Sequence, residues 1–166
     1  MKSTPGQRVK RKKRFWAPKM KIYFSGSIVG GRENAQIYAQ IVEYLQARGH
    51  EVPTAHVARP DVLDWEKKNP PSLIYERDIA WIRESDLLIA EVSTPSMGVG
   101  YEIATALHLA KPVLCLYRQG STVSKMILGN TEPSIRVKPY NTPEELLFLI
   151  DGFLSGLSDQ TLMNSR

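Results

Sequence analysis

The feature that most constrains the fold is a regular alternation of short β-rich runs with amphipathic helical patterns, which begins at Lys21 and continues through the body of the chain. Strands that alternate with crossover helices form a parallel sheet, and helices then cover both of its faces. Residues 86–92 form the most continuous apolar run and are predicted to be the central strand. The chain is therefore expected to fold as a doubly wound α/β domain.

Five strands are predicted. They are expected, with the second as the weakest, at residues 21–25, 50–54, 86–92, 112–117 and 134–138. A first helix is expected to end near residue 48. Further helices are expected at residues 72–85, 99–110 and 121–128 and from residue 142 onward, and a polar, proline-bearing loop is expected at about 55–71. Five strands favour the flavodoxin/Rossmann-like order 2-1-3-4-5, in which a ligand binds beyond the carboxyl ends of the first and third strands.

The charge distribution separates this body from the N-terminus. The 166-residue chain has a net charge of +5, yet residues 1–20 hold eight of its 22 lysines and arginines and no acid. Residues 1–20 are therefore expected to be a disordered basic tail, 21–157 the domain and 158–166 a flexible C-terminal tail. The basic tail either contacts nucleic acid or anionic surfaces or is a solvated extension without a role, which is the favoured interpretation. Met20 is a candidate natural start.

Several classes of protein are excluded by composition. No apolar run approaches the roughly 18 residues that cross a bilayer, so a membrane contact is not expected. A single cysteine, Cys115, rules out an internal disulfide framework and indicates a cytoplasmic protein. No set of His, Asp and Glu has the spacing of metal ligands, so neither a metal nor another cofactor is expected.

The loop after the first predicted strand has the composition of a phosphate-binding turn. Glycines allow a close backbone approach, and the free N–H groups at the start of the next helix attract an anion. The alternatives are a plain tight turn and, for its arginine, a solvated residue in the first helical turn. The loop consists of Gly26, Ser27, Ile28, Val29, Gly30, Gly31 and Arg32.

A second loop, at residues 93–102, follows the third predicted strand and also leads into a helix. Its hydroxyls and glycines, Ser96 and Gly98 among them, offer further contacts to a ligand, although Ser96 would equally serve as a helix cap. Two such loops at one edge of a sheet are stronger evidence for a ligand site than either loop alone.

Two carboxylates occupy positions that a solvated acid would not. Glu102 stands beside an apolar stripe, in what is predicted to be the first turn of its helix, where the dipole would keep it ionised. Asp78 lies within an apolar stripe, where burial would raise its pKa unless it pairs with Arg77 or Arg83, whose positions point elsewhere. One ionised and one neutral carboxyl group is the arrangement that breaks glycosidic bonds.

The segments YFSGSIVGGR, ERDIAWI and STPSMGVGYE together resemble the 2′-deoxynucleoside 5′-monophosphate N-hydrolases, and more distantly the nucleoside 2-deoxyribosyltransferases, over residues 21–155. The resemblance implies that Glu102 is the nucleophile and forms a deoxyribosyl-phosphate ester on the enzyme. It also implies that Asp78 assists departure of the base. Tyr23, which the sequence alone leaves between core and site, would position the nucleophile and crowd the 2′ face of the sugar.

The same resemblance implies the substrate contacts. Residues 26–32, Ser96 and Gly98 would hold the phosphate and sugar, while Tyr38 and His56, the latter a surface residue by default, match positions that line the nucleotide site. Ser124 looks like the serine that reaches the phosphate across a homodimer interface, although it would equally cap a helix. Vertebrate members have Arg where this chain has Val29, which puts affinity and substrate range in question.

The expected function is hydrolysis of the N-glycosidic bond of a 2′-deoxynucleoside 5′-monophosphate, giving a free base and 2-deoxyribose 5-phosphate. One alternative is a deoxyribosyltransferase, in which a second base replaces water. Another is a nucleotide-binding sensor without turnover. The candidate phosphate-contacting serines favour the hydrolase, because the transferases act on unphosphorylated nucleosides.

Overall fold

A parallel sheet forms the centre of the molecule. The computed structural model describes residues 18–164. Within that range the sheet has four strands in the spatial order β1-β2-β3-β4, at Ile22–Gly26, Leu87–Glu91, Val113–Arg118 and Ile135–Tyr140. Ile22 lies opposite Leu87, and Val113 lies opposite Ile135. β1 and β2 are buried over their whole length, as strands covered on both faces must be.

Helices cover both faces of the sheet. They are α1 to α6 in chain order, at Ala35–Ala47, Val62–Lys68, Pro71–Glu84, Met97–His108, Lys125–Leu128 and Pro143–Asn164. A short 3₁₀ turn, Ala55–Ala58, precedes α2. One core includes Phe24, Ile89 and residues of α1 and α6, while the other includes Ala90 and residues of α3 and α4. The parallel, doubly wound α/β architecture predicted from the alternation is therefore confirmed.

The prediction of five strands in the order 2-1-3-4-5 is wrong, because residues 50–54 do not form a strand. They make a single bridge, from Glu51 to Lys21. Pro53 has no N–H to continue the ladder. The backbone N–H of Phe24 donates instead to the Thr54 hydroxyl, at 2.9 Å. The other predicted strands are neighbours in the predicted order, so the loss is confined to the edge beside β1.

The segment predicted as an irregular loop, residues 55–71, also differs from expectation. It contains the 3₁₀ turn and α2, and its buried residues Val57 and Val62 attach it to the rest of the fold. Proline stands before α2 at Pro60 and at the first position of α3 at Pro71, where a missing N–H is tolerated. The prolines therefore separate helices and do not interrupt them.

The structure describes residues 18–20 of the predicted N-terminal tail and residues 158–164 of the predicted C-terminal tail. Residues 1–17 lie outside the described residues, while the Met20 carbonyl accepts from the Glu51 N–H at 2.9 Å and so belongs to the body. At the other end α6 continues past residue 157 to Asn164, and residues 165–166 lie outside the described range. No helix between residues 18 and 164 is long and apolar enough to cross a membrane.

Candidate active site

A cavity of about 220 Å³ lies beyond the carboxyl end of β1. It is enclosed by the loop after β1, the 3₁₀ turn, α2, α3 and the start of α4. The structure brings nine of the predicted site residues together in its wall: Tyr23, Gly26, Ile28, Val29, His56, Asp78, Ser96, Gly98 and Glu102. The other predicted residues lie elsewhere, as described below. This cavity is the candidate active site.

Glu102 is held by hydroxyl groups on both carboxylate oxygens. The Tyr23 hydroxyl donates to Oε1 at 2.8 Å, and the Ser25 hydroxyl donates to Oε2. Tyr23 and Ser25 stand two residues apart on β1 and therefore point to the same face of the sheet. Ser25 was not among the predicted site residues, although this period-two spacing from Tyr23 is a signal that identifies it.

The expectation that a helix dipole keeps Glu102 ionised is wrong. Because α4 begins at Met97, Glu102 lies in the second turn and not the first. Burial raises the pKa of the Glu102 carboxyl to about 7, against the hydrogen bonds from Ser25 and Tyr23, which lower it. Nearby Asp78 adds to the rise. Glu102 is therefore a carboxyl group that changes its charge near neutral pH and keeps a fixed orientation.

Asp78 forms an ion pair with Arg77, which its position in the sequence did not predict. Arg77 donates to Asp78 Oδ1 from Nε at 2.8 Å and approaches the same oxygen with Nη2 at 2.7 Å. Successive residues on a helix do not face each other, so their spacing hid this ion pair. Burial raises the pKa of Asp78, and the hydrogen bond and charge of Arg77 oppose that rise. The prediction of a simply neutral Asp78 is therefore corrected to a buried carboxyl group paired with arginine.

The loop after β1 approaches the loop after β2 so closely that glycine is required. A Cβ on Gly30 would stand 2.6 Å from the Pro95 carbonyl oxygen, and Gly31 has a φ of +140°, which side chains rarely adopt. The Asn34 amide joins the two loops by donating to the Thr94 hydroxyl at 3.1 Å. The two predicted loops are therefore in contact. Gly30 and Gly31 allow this contact but do not themselves line the cavity.

Three other predicted site residues, Arg32, Tyr38 and Ser27, hold the loop after β1 on the body of the protein and do not line the cavity. Arg32 is half-buried and donates to the carbonyl oxygens of Val57 and Arg59, at 2.8 and 2.9 Å, so it is bound to the backbone and does not line the cavity. Tyr38 is buried, and its hydroxyl accepts from the Ser27 N–H at 3.1 Å. The Ser27 side chain is buried as well. These contacts fix the loop on the body of the protein.

His56 is not the surface residue that was expected by default. Its ring centroid lies 6.2 Å from that of Trp65 and 5.6 Å from that of Trp81. Burial, together with the charges of Arg77 and Arg59, lowers the pKa of His56 to about 4. His56 is therefore a neutral member of the cavity wall at physiological pH.

The cavity also contains polar residues that the sequence analysis missed. Thr54, Glu66 and Arg77 all line it. Burial raises the pKa of the Glu66 carboxyl, and the charge of Asp78 raises it further. No sequence signal identified Glu66, because α2 was predicted as loop. The site is thus richer in charged groups than the predicted pair of carboxylates.

Ser124 lies apart from this cavity in the single chain. It is exposed and caps α5, where its hydroxyl accepts from the Met126 N–H at 3.3 Å. It lines a separate cleft of about 770 Å³ alongside α4. Ser96, which caps α4 by accepting from the Val99 N–H at 3.4 Å, lines both the cleft and the cavity.

Comparisons with known proteins show which family this chain resembles. The family described as nucleoside 2-deoxyribosyltransferase matches residues 22–147. A protein named 5-hydroxymethyl-dUMP N-hydrolase from Esox lucius is 40% identical over 145 residues, which cover 84% of this chain and 99% of that protein. A protein from Methanococcoides burtonii, provisionally named 2′-deoxynucleoside 5′-phosphate N-hydrolase 1, is 44% identical over 119 residues, covering 72% of this chain and 98% of that protein.

A solved structure shares the fold. The structure of the Clostridium botulinum CMP N-glycosidase BcmB superposes with a TM-score of 0.59 and 22% sequence identity. The match covers 79% of this chain and 98% of that one. At this level of identity the similarity concerns the architecture.

Proposed function

The chain belongs to the nucleoside 2-deoxyribosyltransferase family, and we propose that it hydrolyses the N-glycosidic bond of 2′-deoxynucleoside 5′-monophosphates to a free nucleobase and 2-deoxyribose 5-phosphate. The family expected from the sequence is thereby confirmed. The observation that carries the proposal is the arrangement of Glu102, which faces the same cavity as Asp78 and is oriented by two hydroxyl donors. Relatives from archaea and vertebrates are named for cleavage of this bond.

In the proposed reaction Glu102 attacks the anomeric carbon C1′ of the sugar. The new bond joins C1′ to a carboxylate oxygen, the C1′–N bond breaks, and its electron pair leaves with the base, whose departure Asp78 assists. Water then releases 2-deoxyribose 5-phosphate from the glutamyl ester. Tyr23 stays protonated because burial and the charge of Glu102 raise its pKa, so it remains a hydrogen-bond donor to the nucleophile.

Phosphate and sugar contacts are proposed for the loop after β1 and the start of α4. Val29, Ser96 and Gly98 line the cavity there, and the Val29 side chain is 82% exposed. Because Arg32 is engaged with backbone carbonyls, no arginine of the loop after β1 faces the cavity in this structure. We infer that backbone N–H groups and hydroxyls bind the phosphate, which makes Val29 a position that tunes affinity.

The test is release of base from a panel of deoxy- and ribonucleoside monophosphates and their nucleosides, followed by chromatography. We expect release only from phosphorylated deoxy substrates. Glu102→Gln removes the nucleophile and should reduce the rate by at least about a thousandfold. Glu76→Gln, an exposed glutamate two residues from Asp78, is the matched control and should retain activity. A fully active Glu102→Gln variant would refute the mechanism, whereas binding without turnover in the wild type would indicate a sensor.

A deoxyribosyltransferase is the second candidate, because the matching family is described by that activity. The two reactions share the covalent intermediate and differ in the acceptor, a base or water. Supplying an excess of a second base and searching for a new nucleotide or nucleoside separates them. Formation of only free base and sugar phosphate supports the hydrolase.

We further propose that the enzyme acts as a homodimer in which Ser124 contacts the phosphate in the neighbouring site. The cleft that contains Ser124 carries large apolar side chains in contact with solvent, since Met97 is 95% and Met126 is 83% exposed. An exposed apolar patch of this kind is typical of a protein interface. Burying it against a second copy would place Ser124 beside that copy.

Subunit complementation tests this arrangement. Glu102→Gln and Ser124→Ala subunits, mixed and reassembled, would form heterodimers in which one site has both native residues. Activity should rise to about a quarter of the wild-type value under random assembly, because half of the dimers hold one restored site. Sedimentation measures the oligomeric state. Unchanged activity on mixing, or a monomer at assay concentrations, would contradict the shared site.

A cytoplasmic location stays a prediction, and so does the interpretation of the basic tail as a solvated extension, to which nucleic-acid contact is the alternative. Cys115 is a buried free thiol, which agrees with a reducing compartment.

A further inference from the structure

Arg77 is held in an unusual place by two aromatic rings. Its guanidinium carbon lies 4.7 Å from the centroid of the Trp65 ring and 4.8 Å from that of Trp81. Trp81 follows Arg77 by four residues on α3 and so shares its face, while Trp65 comes from α2. Cations between indole faces are stabilised by the ring quadrupoles, more so when water is excluded. The rings thereby hold the guanidinium against the neighbouring Asp78.

The ion pair leaves one oxygen of Asp78 available. Both Arg77 contacts are to Oδ1, and among residues 18–164 no hydrogen bond to Oδ2 is present. The side chains of Arg77 and Asp78 are only 16% and 18% exposed. A buried carboxylate that is bound on one oxygen and open on the other can accept a proton from a molecule in the cavity.

Other charged and titratable groups surround this pair from every side of the cavity. Glu66 on α2, Glu102 on α4 and Tyr23 on β1 face it, and His56 on the 3₁₀ turn lines the same wall. Each ionised carboxylate nearby disfavours a charge on Asp78, as burial does. Arg77 is the cation in contact with it, and it is therefore the group that opposes protonation of Asp78.

We propose that Arg77 is a positioning residue for the second half of the reaction: held between Trp65 and Trp81, it binds Oδ1 of Asp78 and leaves Oδ2 to take a proton from the attacking water. The water oxygen forms a bond to C1′ and gives one proton to Oδ2. The bond between C1′ and the Glu102 oxygen breaks, and its electron pair returns to the Glu102 carboxylate. This inference rests on the proposed function, since it assumes the glutamyl ester.

Arg77→Gln tests the inference through the pH profile. Without the cation the pKa of Asp78 rises, so the acid limb of kcat should move to higher pH by about one unit, with a loss of about tenfold on the acid side of the profile and recovery on its alkaline side. KM should fall together with kcat and leave kcat/KM nearly unchanged, because kcat/KM reports only the steps up to formation of the glycosyl-enzyme. The glycosyl-enzyme should accumulate, which appears as a burst of base release equal to the enzyme concentration and as a mass increase on Glu102.

Matched variants separate positioning from folding. Arg77→Lys retains the charge and should recover much of the lost rate, while Arg83→Gln removes an exposed arginine of the same helix and should behave as wild type. Trp65→Leu should reproduce part of the Arg77→Gln shift, and Trp65→Phe should reproduce less of it. Thermal melts identify any variant that does not fold.

An Arg77→Gln enzyme with the wild-type acid limb and no burst would overturn the inference, even if its overall rate fell. Loss of both the Arg77→Lys and Arg77→Gln activities to the same extent, at all pH values, would overturn it as well. These failures are distinct from failure of the proposed function. That failure would appear as a wild-type protein that releases no base or as an active Glu102→Gln variant.

Discussion

At the scale of single residues, the charge of Glu102 is set by two opposing effects. Burial favours the neutral acid, whereas the hydroxyl groups of Tyr23 and Ser25 favour the carboxylate. A nucleophile must be ionised when it attacks. The two hydroxyls therefore contribute both orientation and negative charge to the proposed nucleophile, whose carboxyl group is close to half ionised near neutral pH.

The raised pKa of Glu102 makes stability depend on pH. Because the pKa is about 7 in the folded protein and 4.5 is the ordinary value, the buried carboxyl destabilises the fold increasingly as pH rises from 5 to 8. The effect is on the order of 3 kcal/mol. Glu102→Gln should remove this slope and be relatively more stable at pH 8. Urea unfolding at several pH values measures it, with Glu76→Gln as control, and parallel pH curves for Glu102→Gln and wild type would contradict it.

Removing one hydroxyl should shift the activity profile. Ser25→Ala takes away a donor to Glu102 Oε2, so the pKa of Glu102 should rise further and the acid limb of kcat should move up by about one unit. Tyr23→Phe removes the donor to Oε1 and should act in the same direction. A pH profile of base release checks this. A variant whose rate falls equally at every pH would show that the hydroxyl acts on orientation alone.

At the scale of elements, the site depends on how segments distant in the sequence meet. The loop after β1 contacts the loop after β2 at Gly30 and Pro95, and α2 contacts α3 through Trp65 and Arg77. Each contact brings one wall of the cavity into position. The short α2, placed between prolines, thereby contributes an aromatic and a carboxylate to the site.

Gly30→Ala should separate the loops after β1 and β2. The new methyl group would meet the Pro95 carbonyl, a backbone atom that has little freedom to move, so we expect a loss of about 1–3 kcal/mol in stability together with weaker substrate binding. Gly152→Ala in α6 is the matched control. Its methyl group would meet nothing within 4 Å, and it should stabilise the helix by about 0.5–1 kcal/mol. Thermal melts and KM values test both, and equal stability of the two variants would contradict the argument.

At the scale of the whole molecule, the N-terminal cluster of basic residues and the residues of the candidate site belong to different parts of the chain. Met20 is bonded to Glu51 and so belongs to the body, and among residues 18–164 none before Tyr23 lines the cavity. Residues 1–17 lie outside the described structure. Their positive charge makes any contact with nucleic acid strongly dependent on salt.

Deleting residues 1–17 should therefore leave catalysis intact. We expect base release and the melting temperature to stay within about twofold and a few degrees of the full chain. Retention on immobilised nucleic acid at low salt, if the full chain shows it, should be lost on deletion. A truncated protein that loses activity would assign the tail a role in the site.

The parallel α/β architecture and much of the cavity wall could be predicted from the amino-acid sequence alone. Periodicity is a local property, so it identified the strands and the apolar stripes on which Glu102 and Asp78 are out of place. The motifs added the family. These inferences needed only neighbours along the chain, which is why they could be made without coordinates.

The contacts that those residues make follow from the three-dimensional fold. Residues 50–54 do not form a strand, because Pro53 has no N–H and the Thr54 hydroxyl accepts the hydrogen bond from the Phe24 N–H. Residues 62–68 form α2 where a loop was expected. The Arg77 guanidinium contacts Asp78 and is held there by Trp65, which comes from another helix. The charge of Glu102 likewise follows from burial and from hydroxyls on β1. Such effects depend on segments brought together from distant parts of the chain, and no local pattern encodes them.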